Sequence, residues 1–211
     1  MFGQSTTSQH GTPDVWKTVE ELETRLGVRA EAGGKHPGRG THNALLGLGE
    51  GCYLEIIGPD PDGDAPEDGE RPFGLDRLEE PRLVTWAVRT NELERICERA
   101  RGMGYDPGEI RDMSRELPDG RTLKWRLTRR KEADDTKGLA PFLIDWGDSP
   151  HPSESAPGGC TLVRLRGEHP NALHVVDVLL ALDIGYVSMI PGPEAALIAI
   201  LDTPKGEVHL R

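Results

Sequence analysis

The sequence predicts an α+β fold built from repeated βαβββ units, whose curved mixed sheets carry helices packed outside. Three observations predict this fold class. A helix-like segment followed by three strand-like segments occurs three times within 211 residues. The 26 Gly and 17 Pro favour turns and short elements over long helices. Chain length also allows a substantial buried core, in one compact domain or two small ones. The repeat lies in the pattern of elements and hardly at all in the residues themselves.

The first unit is predicted over residues 1–58, and its helix is the plainest element. Thr12 is the expected N-cap and Pro13 suits the first helical position. Apolar residues then recur at helical spacing up to Gly27. Strands are predicted over residues 28–32, 43–48 and 52–57, with a Gly-rich loop over 33–40. The opening strand is the weak element. Residues 3–10 contain no aliphatic side chain, so this strand is expected either at an exposed edge or to be missing.

The second unit is predicted over residues 82–146, after an acidic linker over 59–81 that is expected to bury little surface. It has a strand over 83–88, a helix beginning at Asn91, strands near 109–115 and 122–127, and a strand over 141–146. The turn Pro118-Asp119-Gly120 joins the middle two strands. After a loop over 147–159, residues 160–211 form a third, smaller unit with its own amphipathic helix beginning at Asn171.

Composition excludes several classes of protein. The net charge of −11 disfavours a nucleic-acid partner, and the densest basic run, Arg129 to Lys131, is followed at once by acidic residues. No apolar run approaches the roughly 20 residues of a membrane span. The N-terminal residues lack the apolar segment of a secretion signal, and three cysteines without a CxxC pair indicate reduced thiols. A cytoplasmic protein is therefore predicted.

Two stretches resemble a known family. The first is the loop Gly33-Gly34-Lys35-His36-Pro37-Gly38-Arg39-Gly40-Thr41-His42-Asn43 with the strand Gly51-Cys52-Tyr53-Leu54-Glu55-Ile56-Ile57-Gly58; the second is Pro141–Trp146 followed by His151-Pro152. Together they resemble the glyoxalase-like domain proteins of the vicinal oxygen chelate superfamily. The resemblance implies paired βαβββ units curved around a cup-shaped ligand site, where many superfamily members hold a divalent metal ion and others only bind a small molecule.

Glu55 is the sharpest candidate for a catalytic residue or a metal ligand. It lies in an apolar strand, where a carboxylate is costly to bury unless it is paired or binds a metal. The alternative is that strand alternation points it outward. His36 is predicted as its proton partner because of the family match. Thr41 and Asn43 are predicted ligand-binding residues, although they are also suited to fixing the loop by side-chain hydrogen bonds.

The second candidate group closes the second unit. Asp145, Trp146 and His151 follow one another at the end of an apolar strand and are predicted to converge on the rim of the cup with Tyr53. His151 is the predicted catalytic member of this group. Trp125 and Arg126 alternate, so only one of them faces the cup, and Trp125 is the predicted ligand-binding residue. The alternative is that Trp125 and Trp146 are core aromatics.

Two functions remain open on the sequence alone. The first is a lyase, isomerase or dioxygenase in which a metal or carboxylate polarises a small polar substrate and a base moves a proton. The second is a non-catalytic protein that sequesters an antibiotic-like compound. The predicted opening strands offer no metal ligand, so a divalent metal is an open expectation. A homodimer is also expected as one way to partner the third unit.

Overall fold

A computed structural model describes residues 6–63, 66, 69–116, 120, 122–130 and 135–211. The first two units form one closed eight-stranded barrel, and the third unit forms a separate four-stranded sheet against its outer surface. The predicted fold class is thus confirmed. The boundaries predicted between the units stay predictions.

The described residues form twelve strands and three α-helices. In the first unit they are β1 Thr6–Gly11, α1 Val15–Leu26, β2 Glu31–His36, β3 Thr41–Gly47 and β4 Tyr53–Pro59. In the second they are β5 Arg82–Arg89, α2 Leu93–Gly102, β6 Glu109–Glu116, β7 Thr122–Arg129 and β8 Phe142–Asp145. In the third they are β9 Thr161–His169, α3 Ala172–Ala181, β10 Ser188–Pro191, β11 Ala196–Thr203 and β12 Gly206–Leu210.

The barrel has one long seam and one short seam between its two units. Its strand order is β1-β4-β3-β2-β6-β7-β8-β5. β1 pairs with β5 in antiparallel register over the whole of Thr6–Gly11, which joins the units firmly. At the opposite side, the described residues of β2 and β6 share one pair, Lys35 with Glu116. In this part of the chain the second seam is therefore much shorter than the first.

Strand alternation divides the barrel into an outer and an inner face. On β4, Leu54 and Ile56 pack into the large core beneath the helices, whereas Tyr53 belongs to a smaller cluster inside the barrel. Glu55 therefore shares the inner face with Tyr53. On β1 the register places Thr7 beside Tyr53 and Gln9 beside Glu55.

The opening strand corrects the sequence prediction. β1 is neither an exposed edge nor missing, because it lies between β4 and β5 and is buried along its whole length. Its backbone groups are satisfied by ladders on both sides, so the strand needs no aliphatic anchor. Residues 1–5 lie outside the described part of the chain.

Three local predictions also need correction. β2 extends into the first half of the predicted Gly-rich loop, so His36 is the last residue of a strand, and residues 37–40 form the turn that follows. The N-cap of α1 is Asp14, whose carboxylate accepts from the Lys17 amide, and Thr12 instead bonds the Thr18 hydroxyl at 2.7 Å. Pro118 and Asp119 of the predicted turn lie outside the described residues.

The segment predicted as a linker buries more than its composition suggests. Asp60 is buried and pairs with Lys35 at 2.9 Å. A short 3₁₀ segment, Pro72–Arg77, places Leu75 fully out of solvent, and Phe73 stacks on Phe142 of β8 with ring centroids 5.9 Å apart. Acidic and proline-rich composition describes the exposed residues well, but these few apolar side chains dock the segment on the barrel.

The third unit packs on the outer face of the seam between β1 and β5. The ring of Tyr186 lies edge-on to Trp86 of β5 at 6.4 Å, and the Leu83 amide donates to the Arg211 carbonyl. Its apolar residues continue the large core of the barrel helices, for example Leu165 and Val175. Among the described residues, none of the helices has the length and apolar character needed to cross a membrane.

Candidate functional site

Five polar side chains form a cluster inside the barrel, here called the polar cluster: Gln9, His36, Asn43, Glu55 and Arg115. Glu55 is its centre and accepts from the Gln9 amide at 3.3 Å and from the Asn43 amide at 2.5 Å. The imidazole Nε2 of His36 lies 3.8 Å from a Glu55 oxygen. The Glu55 side chain is only 13% exposed, so these contacts replace most of its hydration.

Asn43 links the negative and positive members of the polar cluster. Its carbonyl oxygen accepts from the Arg115 guanidinium at 3.1 Å while its amide nitrogen donates to Glu55. The two bonds fix the orientation of the amide, because only an acceptor suits Arg115 and only a donor suits a carboxylate. Asn43 therefore joins β3 of the first unit to β6 of the second through side chains.

Gly33 on β2 leaves the space in which this link forms. A Cβ at that position would lie 2.2 Å from the Asn43 carbonyl oxygen, 2.8 Å from the Arg115 guanidinium and 2.9 Å from Leu45. No side chain fits at such distances without displacing its neighbours. The first glycine of the Gly33-Gly34 pair thus has a definite steric role at the site.

A second group, here called the aromatic cluster, lies beside the polar cluster and consists of Tyr53, Trp125, Trp146 and His151. The Trp125 and Trp146 rings are 5.1 Å apart, and His151 lies edge-on to Tyr53 at 5.5 Å and to Trp146 at 5.8 Å. Tyr53 is two residues from Glu55 on the same face of β4. Burial raises the pKa of its phenol, the nearby Glu55 raises it further, and Arg115 lowers it. The two clusters are therefore neighbours within one barrel interior.

Several interior polar atoms have no partner. Among the described residues, four such side-chain atoms are Gln9 Oε1, Arg115 Nε, Trp125 Nε1 and Trp146 Nε1. Gln9, Arg115 and Trp146 are 1%, 4% and 4% exposed. Buried polar groups are nearly always hydrogen-bonded, and each unmet one costs about 1–3 kcal/mol. These four atoms all belong to side chains of the barrel interior.

An open groove of about 690 Å³ reaches the aromatic cluster from outside. It lies beside β6, β7 and the residues after β8, and both Trp125 and Trp146 line it. The β7–β8 ladder beside it is only two pairs long, Arg126 with Asp145 and Leu127 with Ile144. Trp125 and Trp146 lie one residue beyond the end of this ladder.

The structure brings some of the predicted residues together and separates others. His36, Thr41, Asn43 and Glu55 are neighbours; Thr41 bonds His36 Nδ1 at 3.0 Å, which holds the imidazole in place. Tyr53, Trp125, Trp146 and His151 are the aromatic cluster.

Asp145 is the exception. It points away from the barrel interior and pairs with Arg126 at 2.8 Å, on the face opposite Trp125. The assignment of Asp145 as a ligand-binding residue stays a prediction: β8 alternation turns Ile144 inward and Asp145 outward, and Asp145 lines the outer groove together with Trp125 and Trp146.

Gln9 and Arg115 are functional candidates that sequence reasoning missed. Gln9 was passed over because the strand that carries it was expected either at an exposed edge or to be missing. Arg115 lies in β6, where it is opposite Leu123 of β7. Met113 of the same strand is opposite Trp125. That pairing places Arg115 on the same face as the apolar interior residues, a signal that appears only once the register of β6 and β7 is known.

Burial keeps three histidines neutral. Desolvation lowers the pKa of His36, of His151 and of His10 each to about 4. For His36 the neighbouring Glu55 opposes this shift and Arg115 adds to it. His151 also caps the 3₁₀ turn Pro152–Glu154, with Nδ1 bonded to the Ser153 hydroxyl at 2.7 Å.

These histidines predict a loss of stability in mild acid. Each has a folded pKa of about 4 against about 6.5 when unfolded, so unfolding takes up protons between those values. Stability is then complete above about pH 6.5 and falls towards pH 4, by roughly 1.4 kcal/mol per pH unit for each histidine. Urea unfolding at pH 7.5, 5.5 and 4.5 measures this. His36→Gln should reduce the slope of the unfolding free energy against pH by the contribution of one proton. An unchanged slope in that variant would contradict the low pKa assigned to His36.

A divalent metal needs several converging carboxylate, imidazole or carbonyl ligands. Within the part of the chain that the structure describes, no group of three or more His, Cys, Asp or Glu side chains could hold one. Both Glu55 oxygens accept from amide groups, and the Arg115 guanidinium lies just beyond Asn43. The geometry describes Glu55 as a carboxylate held by amides.

Comparisons with known proteins place the chain in a structural context. A family model described as glyoxalase-like domain matches residues 9–182. A crystal structure of a hypothetical protein from Staphylococcus aureus has a TM-score of 0.65 at 16% identity, covering 96% of this chain and 82% of that chain. Methylmalonyl-CoA epimerase from Mycobacterium tuberculosis has a TM-score of 0.43 at 20% identity, covering 69% and 88%. A triple mutant of 4-hydroxymandelate synthase from Streptomyces coelicolor has a TM-score of 0.48 at 11% identity, covering 96% and 60%. No curated protein sequence matches the chain.

Proposed function

Because the chain belongs to the glyoxalase-like domain family and its paired units have the vicinal oxygen chelate fold, we propose that it binds a small polar molecule inside the barrel. The observation that carries this proposal is the set of unpartnered polar atoms at the interior, Gln9 Oε1, Arg115 Nε and the two indole N–H groups. A molecule with a flat part against Trp125 and Trp146 and a polar part near Arg115 would satisfy them. The groove lined by the two indoles is the proposed way in.

Glu55 and His36 are the proposed chemical groups if the bound molecule is also converted. His36 is neutral at pH 7 because its pKa is about 4, and its Nε2 faces a Glu55 oxygen. A neutral imidazole beside a carboxylate suits proton transfer at a carbon next to a carbonyl, as in an isomerase or lyase. Arg115 would then lie near the oxygen on which negative charge develops. The alternative predicted from the sequence, sequestration without conversion, uses the same binding residues.

A thermal-shift screen with small polar metabolites tests the binding proposal. We expect a binder to raise the melting temperature of the wild-type protein and to quench its tryptophan fluorescence. The quenching should shrink in Trp146→Phe and persist in Trp16→Phe, because Trp16 lies half-exposed on α1, outside the barrel interior. Ligands that act equally on both variants would contradict an interior site.

Running the same mixtures in D₂O shows whether a bound molecule gains deuterium, and loss of that exchange in Glu55→Gln distinguishes an enzyme from a sequestering protein.

Cytoplasmic location and dimerisation stay proposals. Cys52, Cys97 and Cys160 are free and buried, which is compatible with a reducing compartment. The sheet β10-β9-β11-β12 has no second unit to pair with among the described residues, and a second copy of the chain would supply one.

A further inference from the structure

We propose that the molecule bound in the barrel carries an anionic group, a carboxylate or a similar oxyanion, next to a flat apolar part, and that Arg115 is the residue that selects it. This inference rests on the proposed function, since it names the class of ligand for the same site. The notable feature is a buried positive charge whose hydrogen bonding is only partly met.

Arg115 is 4% exposed, and its one hydrogen bond within the described chain joins Nη1 to the neutral amide of Asn43. In that part of the chain, none of the carboxylates lies within ion-pair distance of its guanidinium, and its Nε–H has no partner. Buried charges in proteins are generally paired, because taking a lone charge out of water is costly. The guanidinium offers five N–H donors in a planar fork that matches a carboxylate. An anionic ligand supplies the missing partner.

Glu55 does not fill this role. Its two oxygens are occupied by the amides of Gln9 and Asn43, and it is connected to Arg115 only through Asn43. Asn43 thus hydrogen-bonds both the Glu55 carboxylate and the Arg115 guanidinium, and it lies between these two charged groups. The guanidinium is left with its Nε side free to meet a second anion.

The neighbours of Arg115 indicate the rest of the ligand. Arg115 is opposite Leu123 across the β6–β7 ladder, and Trp125 is the next inward residue along β7, a diagonal neighbour about 7–8 Å away. Trp125 and Trp146 each present an unpartnered indole N–H, which is a donor only. Three of the four unmet interior atoms are therefore N–H donors beside aromatic faces. An aromatic acid is the simplest molecule with matching acceptors and a matching flat part.

The experiment compares probes that share one ring and differ in charge: benzoate and phenylphosphonate as anions, benzamide as the neutral analogue and benzylamine as the cation. Binding is measured by calorimetry and by melting temperature on the wild-type protein, on Arg115→Met and Arg115→Lys, and on Arg111→Met. Arg111 is an exposed arginine on the same strand and serves as the matched control. We expect an anion to bind wild type and Arg111→Met alike, and to bind Arg115→Met about 100-fold more weakly. Arg115→Lys should retain an intermediate affinity, because it keeps the charge and loses the planar fork.

A second measurement separates ligand recognition from a structural role. Without ligand, Arg115→Met should melt close to the temperature of wild type, because removing a buried charge that no carboxylate pairs offsets the loss of its bond to Asn43. A variant that binds anions weakly yet melts no lower than wild type supports the inference. Benzamide that binds as tightly as benzoate, with no effect of Arg115→Met, overturns the anionic class and leaves the barrel as the binding site. A wild-type protein that binds none of the ring compounds, whatever their charge, counts against both.

Discussion

Gly33→Ala is expected to destabilise the protein by about 1–3 kcal/mol and to abolish ligand binding. The added methyl carbon would lie 2.2 Å from the Asn43 carbonyl oxygen, closer than any van der Waals contact allows. Its other neighbours, Arg115 and Leu45, belong to the packed barrel interior and have little room to yield. The link between Asn43 and Arg115 must therefore shift or break, and binding is lost with it.

Gly102→Ala is the matched control for this substitution. Gly102 ends α2, and a Cβ there would meet no atom within 4 Å. The same change should leave stability equal or raise it by up to about 1 kcal/mol. Urea denaturation of both variants gives the comparison, and the Arg115-dependent anion binding gives the second readout. Equal stabilities for the two variants would mean that the interior around Gly33 is looser than the structure indicates.

The fold could be predicted because its determinants are local. The helix of the first unit follows from apolar spacing before Gly27, and three such cycles indicate three βαβββ units. Two elements resisted this approach. No apolar residue identifies β1 in the sequence. The strand is buried by ladders on both sides, which it forms with strands that are distant in sequence. β2 runs through glycines that composition alone assigns to a loop, and the reason for Gly33 is a contact with β3 and β6.

The sequence named the first-unit part of the polar cluster and the members of the aromatic cluster, but it did not name Gln9 or Arg115. Glu55, His36 and Asn43 lie close together in sequence, so one motif names them, and the structure places them in contact. Arg115 and Gln9 join them through the closure of the barrel, which depends on pairings between units that no local pattern reveals. The pairing of Asp145 with Arg126 could not be predicted for the same reason, because the direction in which Asp145 points depends on the register of β8.

Asn43→Leu should test whether the polar cluster acts as one unit. Leucine has nearly the shape of asparagine but neither accepts from Arg115 nor donates to Glu55. Two buried charges would then each lose a partner, at a cost of about 2–4 kcal/mol in the free energy of unfolding. Guanidinium chloride unfolding above pH 7, where the buried histidines stay neutral, measures this loss.

The double variant with Arg115→Met decides how the loss arises. If Asn43 stabilises the fold mainly by satisfying Arg115, removal of the charge makes Asn43→Leu much less harmful, and the two changes show a coupling energy of about 1–3 kcal/mol. A similar cycle with Glu55→Gln should give a coupling of the same sign, because Asn43 also serves that carboxylate. Strictly additive losses in both cycles would mean that the three residues stabilise the barrel independently. Coupling in both cycles would show that the Asn43 amide stabilises the Arg115 guanidinium and the Glu55 carboxylate together. A site that binds an anion beside Glu55 requires this arrangement.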